Sequence, residues 1–274
     1  MFVLPESLKR CLRPVKKCIR SGELRFNKMG NRCQCYICRK KFHHFYSFRG
    51  GSREIPPFVR ELGLIGSDVD NFICPHCGCH DRERHLFMYF ERLSLWSAVM
   101  GGSVLHFAPE RSLRDAIVRL KPKEYIQADL FPADKEIRKI DVTAIGFPEE
   151  YFDFIICNHV LEHVPRDEQA MGELCRVLKR GKLAVIQVPF SPILLKAFED
   201  DSINTDDLRF RFYGQEDHVR VYGRDLFSRL EGAGFEVMLQ KHQIVLPDLD
   251  GEFYGVNRRE DLILVKRREN GPLK

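Results

Sequence analysis

The chain has 274 residues, of which 44% are hydrophobic and 30% charged, and its formal net charge is +5. This length suffices for one large core with a small appendage, and the composition has an ordinary soluble balance. No apolar run reaches the roughly 18 residues that span a bilayer. Because the first residues also lack a secretory signal pattern, we expect a cytoplasmic protein without a transmembrane segment.

The first 32 residues are predicted to form a basic extension. Between residues 9 and 41, twelve lysines and arginines stand against a single acidic residue, Glu23. Such a segment can contact phosphate backbones or anionic lipid, but charge bias alone more often marks a solvated surface, which we favour. Apolar residues recur at helical spacing over residues 6–20 and are interrupted by Pro14, so we predict a short helix that packs on the main domain.

Two CxxC pairs mark the next segment, and they are Cys35–Cys38 and Cys74–Cys77. In a cytoplasmic chain, paired cysteines favour a metal site over disulfides. Each CxxC turn directs two thiolates at one ion, and two turns complete a tetrahedral zinc site without an open position, which makes the zinc structural. We therefore predict that residues 33–80 form a zinc-binding, ribbon-like segment. Three neighbouring side chains offer spare ligands: Cys33, Cys79 and His80.

Residues 39–49 of this segment combine basic and aromatic side chains. Such a composition can bind nucleic acid through base stacking and phosphate contacts. The same aromatic side chains can instead pack the segment against the main domain, and we favour packing. An amphipathic helix is predicted next, over residues 81–97. Arg82 and Arg84 lie near its start, where they can face a cofactor carboxylate, an acidic substrate or surface ion-pair partners.

The remaining chain, residues 81–274, alternates helical and strand patterns. The stretch VLHFAPE at residues 104–110 indicates a buried strand, a tight turn and the start of a helix. Further strands are predicted at residues 125–130, 137–142 and 152–158. The strand at 125–130 carries Asp129 near its carboxyl end, and ligands of an open α/β sheet bind at that edge.

Three motifs in the second half of this region indicate a family. They read FDFIICNHVLEHV from residue 152, CRVLKRGK from residue 175 and LAVIQVPF from residue 183. Together they resemble the core of a class I S-adenosylmethionine-dependent methyltransferase, type 11-like, over about residues 100–245. The HFAPE turn, the cysteine-rich segment and the stretch GQEDHVRVYG from residue 214 are similar to features of a subgroup associated with polysaccharide or secondary-metabolite pathways.

The resemblance implies an α/β fold with a doubly wound, mostly parallel seven-stranded sheet, Rossmann-like, that carries the small N-terminal zinc-ribbon-like appendage. Strands predicted at residues 235–245 and 261–267 would complete the sheet as an antiparallel insertion. The resemblance also implies S-adenosylmethionine as the cofactor. The chain departs from the family at the first turn, where HFAPE replaces the usual glycine-rich GxGxG sequence.

The resemblance implies cofactor contacts at the carboxyl ends of the strands. Asp129 would accept hydrogen bonds from both ribose hydroxyls, while the Asp141 carboxylate and the Val142 amide would hold the adenine. Glu110 either accepts a hydrogen bond from the methionine ammonium or interacts with the dipole of the helix that follows it. The predicted cofactor-binding residues are Ala108, Pro109, Glu110, Asp129, Leu130, Asp141, Val142, Asn158 and His159.

Methyl transfer from a sulfonium is a direct in-line displacement, for which an enzyme mainly supplies proximity and orientation. A hydroxyl acceptor also needs a general base, and histidine is suited because its pKa lies near neutrality. The candidates, in order of preference, are His218 and His159, with Asp217 as an orienting partner. His163 is a further candidate. The HVLEHV stretch can also serve only as a structural frame in which Glu162 pairs locally.

Three functions are open at this stage. We favour O-methylation of a small-molecule or glycan-precursor acceptor by an enzyme with structural zinc. One alternative is an RNA or DNA methyltransferase that holds its substrate with the zinc ribbon and the basic extension. Residues 158–161 read NHVL instead of the (D/N)PP(Y/F) loop of base N-methylases, which weighs against it. The other alternative is a non-catalytic cofactor-binding or scaffold protein, which the missing glycine turn favours and the retained Asp129 and Asp141 oppose.

Overall fold

The computed structural model describes residues 27–269, so the helix predicted over residues 6–20 lies outside the described residues. Within this range, two short strands form a hairpin in the cysteine-rich segment and seven strands form the main sheet. In chain order the strands are β1 (Cys33–Gln34), β2 (Lys41–Phe42), β3 (Ser103–Phe107), β4 (Glu124–Asp129), β5 (Arg138–Lys139), β6 (Phe152–Asn158), β7 (Leu178–Gln187), β8 (Phe235–Gln240) and β9 (Leu262–Arg267).

The strands of the main sheet lie in the order β5-β4-β3-β6-β7-β9-β8. Neighbouring strands are parallel from β5 to β7, whereas β9 is antiparallel to both of its neighbours. The chain therefore starts at a central strand, winds out to one edge and then returns to build the other half. This arrangement confirms the predicted doubly wound, Rossmann-like sheet with one inserted antiparallel strand.

Helices cover both faces of the sheet. In chain order the helices of residues 27–269 are α1 (Pro57–Glu61), α2 (Asp81–Arg92), α3 (Trp96–Val99), α4 (Arg111–Arg119), α5 (Asp167–Val177), α6 (Asp206–Tyr213), α7 (Asp225–Gly232), α8 (His242–Val245) and α9 (Gly251–Tyr254). No helix in this part of the chain is long and apolar enough to cross a membrane.

The central strand β6 explains how the two layers of the core form. Phe154 and Ile156 pack in the cluster that contains α2 and α4, while Ile155 and Cys157 pack in the cluster that contains α5 and α7. Successive side chains of a strand point to opposite faces, so a continuous apolar run is buried on both sides. The carboxyl ends of β3, β4 and β6 are thereby fixed at one edge of the sheet.

Several predicted boundaries differ from the structure, each at a backbone irregularity. The helix predicted over residues 81–97 ends at Arg92, because Ser94 adopts a left-handed conformation (φ 55°) before α3 begins. The strand predicted over residues 235–245 ends at Gln240, and α8 follows it directly. The third strand of the methyltransferase-like region is only two residues long. The pattern of apolar residues continues past the ends of these elements, so the sequence does not show where each helix or strand stops.

The cysteine-rich segment is joined to the main domain by the buried side chain of Arg84, on the first turn of α2. Its guanidinium lies 4.0 Å from the centre of the Phe45 ring and donates hydrogen bonds to five backbone carbonyls. These carbonyls belong to Asn71, Phe72, Cys79, Tyr254 and Gly255. A buried cation is stable only where polar groups replace water, and here carbonyl oxygens from both parts of the chain do so. Arg84 is thus a structural residue and does not face a ligand.

We expect Arg84→Met to destabilise the fold by at least about 3 kcal/mol, because it leaves several buried carbonyls without donors. Urea denaturation followed by circular dichroism measures the change. The control is Arg92→Met on the same helix, whose half-exposed guanidinium pairs with Asp248; this change should cost less than about 1 kcal/mol. Equal losses in the two variants would contradict the assigned role of Arg84.

Candidate functional site

Two strained turns lie at the edge where the parallel strands end. Ala108, just after β3, has φ 47°, and His159, just after β6, has φ 53°. Non-glycine residues rarely adopt this left-handed conformation, and such strain concentrates at functional sites. Alanine is the smallest residue with a Cβ atom, so Ala108 still permits close approach to the backbone. The two turns therefore mark this edge as the candidate ligand site.

A hydrogen-bonded network fixes the first turn. Glu110, which follows Pro109 and precedes α4, accepts a short hydrogen bond from the Asn158 side-chain amide. Its other carboxylate oxygen lies 3.1 Å from Nε2 of the buried His106. Burial acts to raise the pKa of Glu110, but the hydrogen bond and charge of His106 outweigh burial and lower it. The Glu110 carboxylate is therefore ionised and joins the ends of β3 and β6.

The two predicted nucleoside-binding carboxylates lie at the ends of adjacent strands. Asp129 ends β4, and its Oδ1 accepts a hydrogen bond from the Phe131 amide at 2.8 Å. Asp141 lies just beyond β5, and its Oδ1 accepts from the amide and hydroxyl of Thr143, which lowers the pKa of Asp141. Val142 is buried, while Leu130 and Phe131 are 45% and 55% exposed beside Asp129. Exposed apolar groups next to a carboxylate suit a nucleoside.

A small cavity lies on the α2 side of the same edge, and Leu86 and Leu262 form part of its lining. It is also lined by Arg82, Asn158, Gln187 and Glu260, together with His85 and Tyr89. Arg82 Nε and Asn158 Oδ1 are buried and have no hydrogen-bond partner within residues 27–269. The structure thus places Arg82, unlike Arg84, at a cavity beside the predicted cofactor edge.

Sequence reasoning missed Glu260, His85 and Gln187. Gln187 Nε2 donates to Glu260 Oε1 at 3.2 Å, and Glu260 Oε2 lies 3.5 Å from His85 Nδ1. A polar residue that interrupts the apolar run LAVIQV was a signal for Gln187. No comparable signal marked Glu260, whose position depends on the antiparallel insertion of β9.

The loop after β6 contains a buried histidine–carboxylate pair. His159 Nδ1 lies 3.1 Å from Glu162 Oε1. Burial acts to raise the pKa of Glu162, but its hydrogen bond with His159 and the nearby histidine charges lower the pKa to about 2. Glu162 therefore stays ionised and holds His159 as the Nδ1–H tautomer. His159 Nε2 is buried and has no hydrogen-bond partner among the described residues.

His218 and Asp217 lie on the opposite side of this loop. His218 Nδ1 is 3.3 Å from the Tyr213 carbonyl, and burial together with the charge of His163 lowers the pKa of His218 to about 4. The Asp217 carboxylate contacts His163 Nδ1 at 3.4 Å. Asp217, predicted as the orienting partner of His218, therefore orients His163, because adjacent residues here direct their side chains apart.

The rest of the GQEDHVRVYG stretch holds the loop after β6 in place. Arg220 is buried and donates to the carbonyls of Leu161, Val164 and Pro165. The Tyr222 hydroxyl donates to an Asp167 oxygen at 2.8 Å. A side chain at position 223 would collide with the backbone of residues 194–196, which explains the glycine there. The stretch thus positions His159 and Glu162 as well as supplying His218.

The four predicted metal ligands converge in the ribbon-like segment. Single ligand atoms of Cys35, Cys38, Cys74 and Cys77 all lie within 4.8 Å of one another. The Sγ atoms of Cys35 and Cys77 are 3.8 Å apart, and those of Cys38 and Cys74 are 3.9 Å apart. Thiolates about 2.3 Å from a tetrahedral zinc ion are separated by about 3.8 Å, so the spacing fits zinc.

The two CxxC turns have the same backbone geometry. In the first, Arg39 N donates to Cys35 O and Cys35 N donates to Lys40 O; in the second, Gly78 N donates to Cys74 O and Cys74 N donates to Cys79 O. The fifth residue of each turn is left-handed, with φ 60° at Arg39 and 77° at Gly78. Equivalent turns that approach each other provide two matched pairs of thiolates.

The spare ligands occupy different positions. Cys79 Sγ is buried 3.4 Å from Cys35 Sγ, whereas Cys33 Sγ contacts the His43 carbonyl. The His80 ring stacks on Phe72, and the residue precedes α2. Of the three, Cys79 is the one whose sulfur contacts a sulfur of the four-cysteine group.

A family model and two curated proteins match parts of this chain. Residues 99–186 match the family model described as "Methyltransferase domain". The chain is 35% identical over 52 residues to phosphatidylethanolamine N-methyltransferase of Cereibacter sphaeroides, which is 19% of this chain and 26% of that protein. It is 33% identical over 82 residues to the ubiquinone/menaquinone biosynthesis C-methyltransferase UbiE of Francisella tularensis subsp. novicida, which is 29% of this chain and 28% of that protein.

The chain thus spans about a quarter of the length of these curated relatives. Among solved structures, an S-adenosylmethionine-dependent methyltransferase from Mesorhizobium loti is similar with a TM-score of 0.43 and 12% identity. That similarity covers 65% of this chain and 96% of that chain. The residues that the family model matches include both strained turns, Asp129 and Asp141.

Proposed function

We propose that this chain, which carries a class I S-adenosylmethionine-dependent methyltransferase domain at its centre, transfers the cofactor's methyl group to a hydroxyl of a small-molecule or saccharide-type acceptor. The observation that carries the proposal is the convergence of Asp129, Asp141 and the two strained turns at one edge of the sheet. Ligands of open α/β folds bind at this edge.

The residues at this edge fit S-adenosylmethionine although the glycine-rich turn is missing. Ala108 adopts the left-handed conformation that glycine would otherwise provide. Asp129 is placed for the ribose hydroxyls, and Asp141 with the Val142 amide for the adenine. The buried, unpaired Arg82 Nε suits the cofactor's carboxylate. When bound, the cofactor supplies an electrophilic methyl group on sulfur, so the task of these residues is to hold and orient it.

His159 is the better-placed of the proposed general bases. Its Nδ1–H is held by the Glu162 carboxylate, so Nε2 carries the lone pair that can accept a proton from an acceptor hydroxyl. His218 was preferred from the sequence, but burial lowers its pKa to about 4, which makes it a weak proton acceptor at neutral pH. Both assignments stay predictions until turnover is measured.

Asp129→Ala should weaken S-adenosylmethionine binding about 10- to 100-fold, because each ribose hydroxyl loses a hydrogen bond to a charged acceptor. Isothermal titration calorimetry on the full chain measures this. The control is Asp134→Ala, an exposed carboxylate on the following loop that pairs with Arg114. It should bind the cofactor like the unaltered protein. Absence of binding at millimolar cofactor would refute the enzyme and favour a scaffold role.

Methyl transfer itself is tested with methyl-labelled S-adenosylmethionine and a panel of phenols, methyl glycosides and bulk tRNA. We expect label in hydroxyl compounds, and His159→Gln should slow transfer by at least about 100-fold while leaving cofactor affinity nearly unchanged. His44→Gln, a change on the exposed surface of the ribbon-like segment, is the control. Label in tRNA alone would support the nucleic-acid alternative instead. Full transfer by His159→Gln would move the base assignment to His218.

We also propose that the ribbon-like segment binds one structural zinc ion through Cys35, Cys38, Cys74 and Cys77. The matched turns and the sulfur spacing support this assignment. Four thiolates leave no open position, so the ion would stabilise the segment rather than catalyse. A segment of this size buries little apolar surface of its own and needs such a constraint.

Zinc content should distinguish the four ligands from the neighbouring thiol. Purified protein is expected to contain about one zinc ion, and Cys38→Ser should lose it because three thiolates bind zinc much more weakly. Cys79→Ser removes a thiol just as near to the cluster and should retain the ion. Elemental analysis after gel filtration makes the measurement. Loss of zinc in Cys79→Ser with retention in Cys38→Ser would show that the ligand set is wrong.

A further inference from the structure

A second cluster of metal-ligating side chains lies outside the cysteine-rich segment. It comprises Glu162 and His163, on the loop after β6, and His218, on the GQEDHVRVYG stretch. One ligand atom of each residue lies within 4.8 Å of the other two. Two imidazoles and one carboxylate form a donor set that divalent first-row transition ions bind in proteins. Modest side-chain rotations would bring three such atoms around one ion.

Both histidines are held through the same ring nitrogen. His218 Nδ1 lies 3.3 Å from the Tyr213 carbonyl oxygen, and His163 Nδ1 lies 3.2 Å from the Asp217 carbonyl oxygen. A carbonyl oxygen only accepts hydrogen bonds, so Nδ1 is the donor in each ring and Nε2 carries the lone pair. Metal-bound histidines are commonly fixed in this way by a carbonyl or carboxylate behind the ring.

The Glu162 carboxylate likewise has one atom held by a hydrogen bond and one atom left without a partner. Glu162 Oε1 is occupied by His159 Nδ1, and Oε2 is buried without a hydrogen-bond partner in the part of the chain that the structure describes. The same holds for His218 Nε2. Glu162 and His218 are only 1% and 5% exposed. Both atoms are acceptors, so neither can satisfy the other, and leaving them unpaired is unfavourable. A cation satisfies both at once.

We propose that Glu162, His163 and His218 bind a divalent first-row transition ion through Oε2 of the carboxylate and Nε2 of each imidazole. The side chain of His163 is 32% exposed, so the ion has access to solvent on that side. Three protein ligands leave coordination positions open for water or for another oxygen donor.

The ion could also take part in the proposed methyl transfer. Only this catalytic role rests on the proposed function. Glu162 and His163 follow the same strand end as His159, so an oxygen donor bound to the ion would lie beside that base. A hydroxyl coordinated to a divalent ion releases its proton more readily, as metal-bound water does. Metal binding itself does not depend on turnover, and its test therefore stays separate from the test of the enzyme.

Cobalt titration tests the proposal on the full chain that holds one equivalent of zinc in the four-cysteine site, after a brief chelator treatment has removed more weakly bound ions. We expect about one further equivalent of Co²⁺ to bind, with weak visible bands of nitrogen and oxygen coordination and without a sulfur-to-cobalt charge-transfer band. Calorimetry gives the affinity in parallel. A sulfur band would mean that Co²⁺ enters the cysteine site, and that result would overturn the proposal.

Three variants locate the ion. Glu162→Gln and His218→Gln should each weaken Co²⁺ binding by at least about 50-fold. Asp217→Ala removes the carboxylate 3.4 Å from His163 Nδ1 but keeps the carbonyl that holds the ring, so it should weaken binding by at most about 10-fold. His44→Gln, an exposed histidine outside the cluster, should bind like the unaltered protein. Circular dichroism verifies that each variant folds. If a variant does not fold, the visible Co²⁺ spectrum of the unaltered protein decides whether the ion binds through nitrogen and oxygen ligands.

Two further results would overturn the assignment. One is the absence of a second equivalent at about 0.1 mM free ion, where any site appreciably tighter than millimolar is occupied; the cluster would then hold only water. The other is an unchanged affinity in both folded Glu162→Gln and His218→Gln, which would place the ion elsewhere. Methyl transfer that persists without the ion would refute only its role in catalysis.

Discussion

The placement of the buried Arg84 guanidinium is the constraint on which the relation between the two parts of the chain depends. It has five carbonyl acceptors, three from the cysteine-rich segment and two from the turn at Tyr254 and Gly255. Carbonyl dipoles replace water around a charge only if their backbones are correctly placed. The same helix carries Arg82 and His85 into the lining of the small cavity beside Asn158. The conformation of the ribbon-like segment and the shape of the cavity are therefore coupled through one helix.

Arg220 satisfies buried carbonyls in the same way in the loop after β6. Its guanidinium binds three carbonyls of the loop after β6 and the carboxylate of Glu199. A loop with so many polar groups near the core would be unfavourable without such donors. The loop after β6 is thus held by a buried arginine, and its histidines gain fixed positions. That rigidity is what a reacting geometry requires, since small displacements reduce rates strongly.

The sequence predicted the fold well because local patterns determine it. The strand at Phe152–Asn158 was predicted with both ends correct, since a continuous apolar run there ends at polar residues. Asp129 and Asp141 were predicted to lie at one edge of the sheet, and they follow adjacent parallel strands there; their contact with a cofactor stays a prediction. The pairing of Asp217 with His163 instead of His218 was not predictable, because neighbours in sequence direct their side chains apart. Glu260 was missed because its contact with His85 spans most of the domain and depends on the inserted strand.

The left-handed alanine after β3 also has a thermodynamic consequence. A glycine-rich turn has many conformations in the free protein and loses that freedom when a ligand closes on it. In the HFAPE turn, Ala108 and Pro109 restrict the backbone before any ligand arrives, and Glu110 is tied to Asn158 and His106. The strain at Ala108 is then a property of the folded ground state instead of a change that binding must impose. Less ordering entropy is lost on association, so a given set of contacts yields tighter binding than it would with a flexible turn.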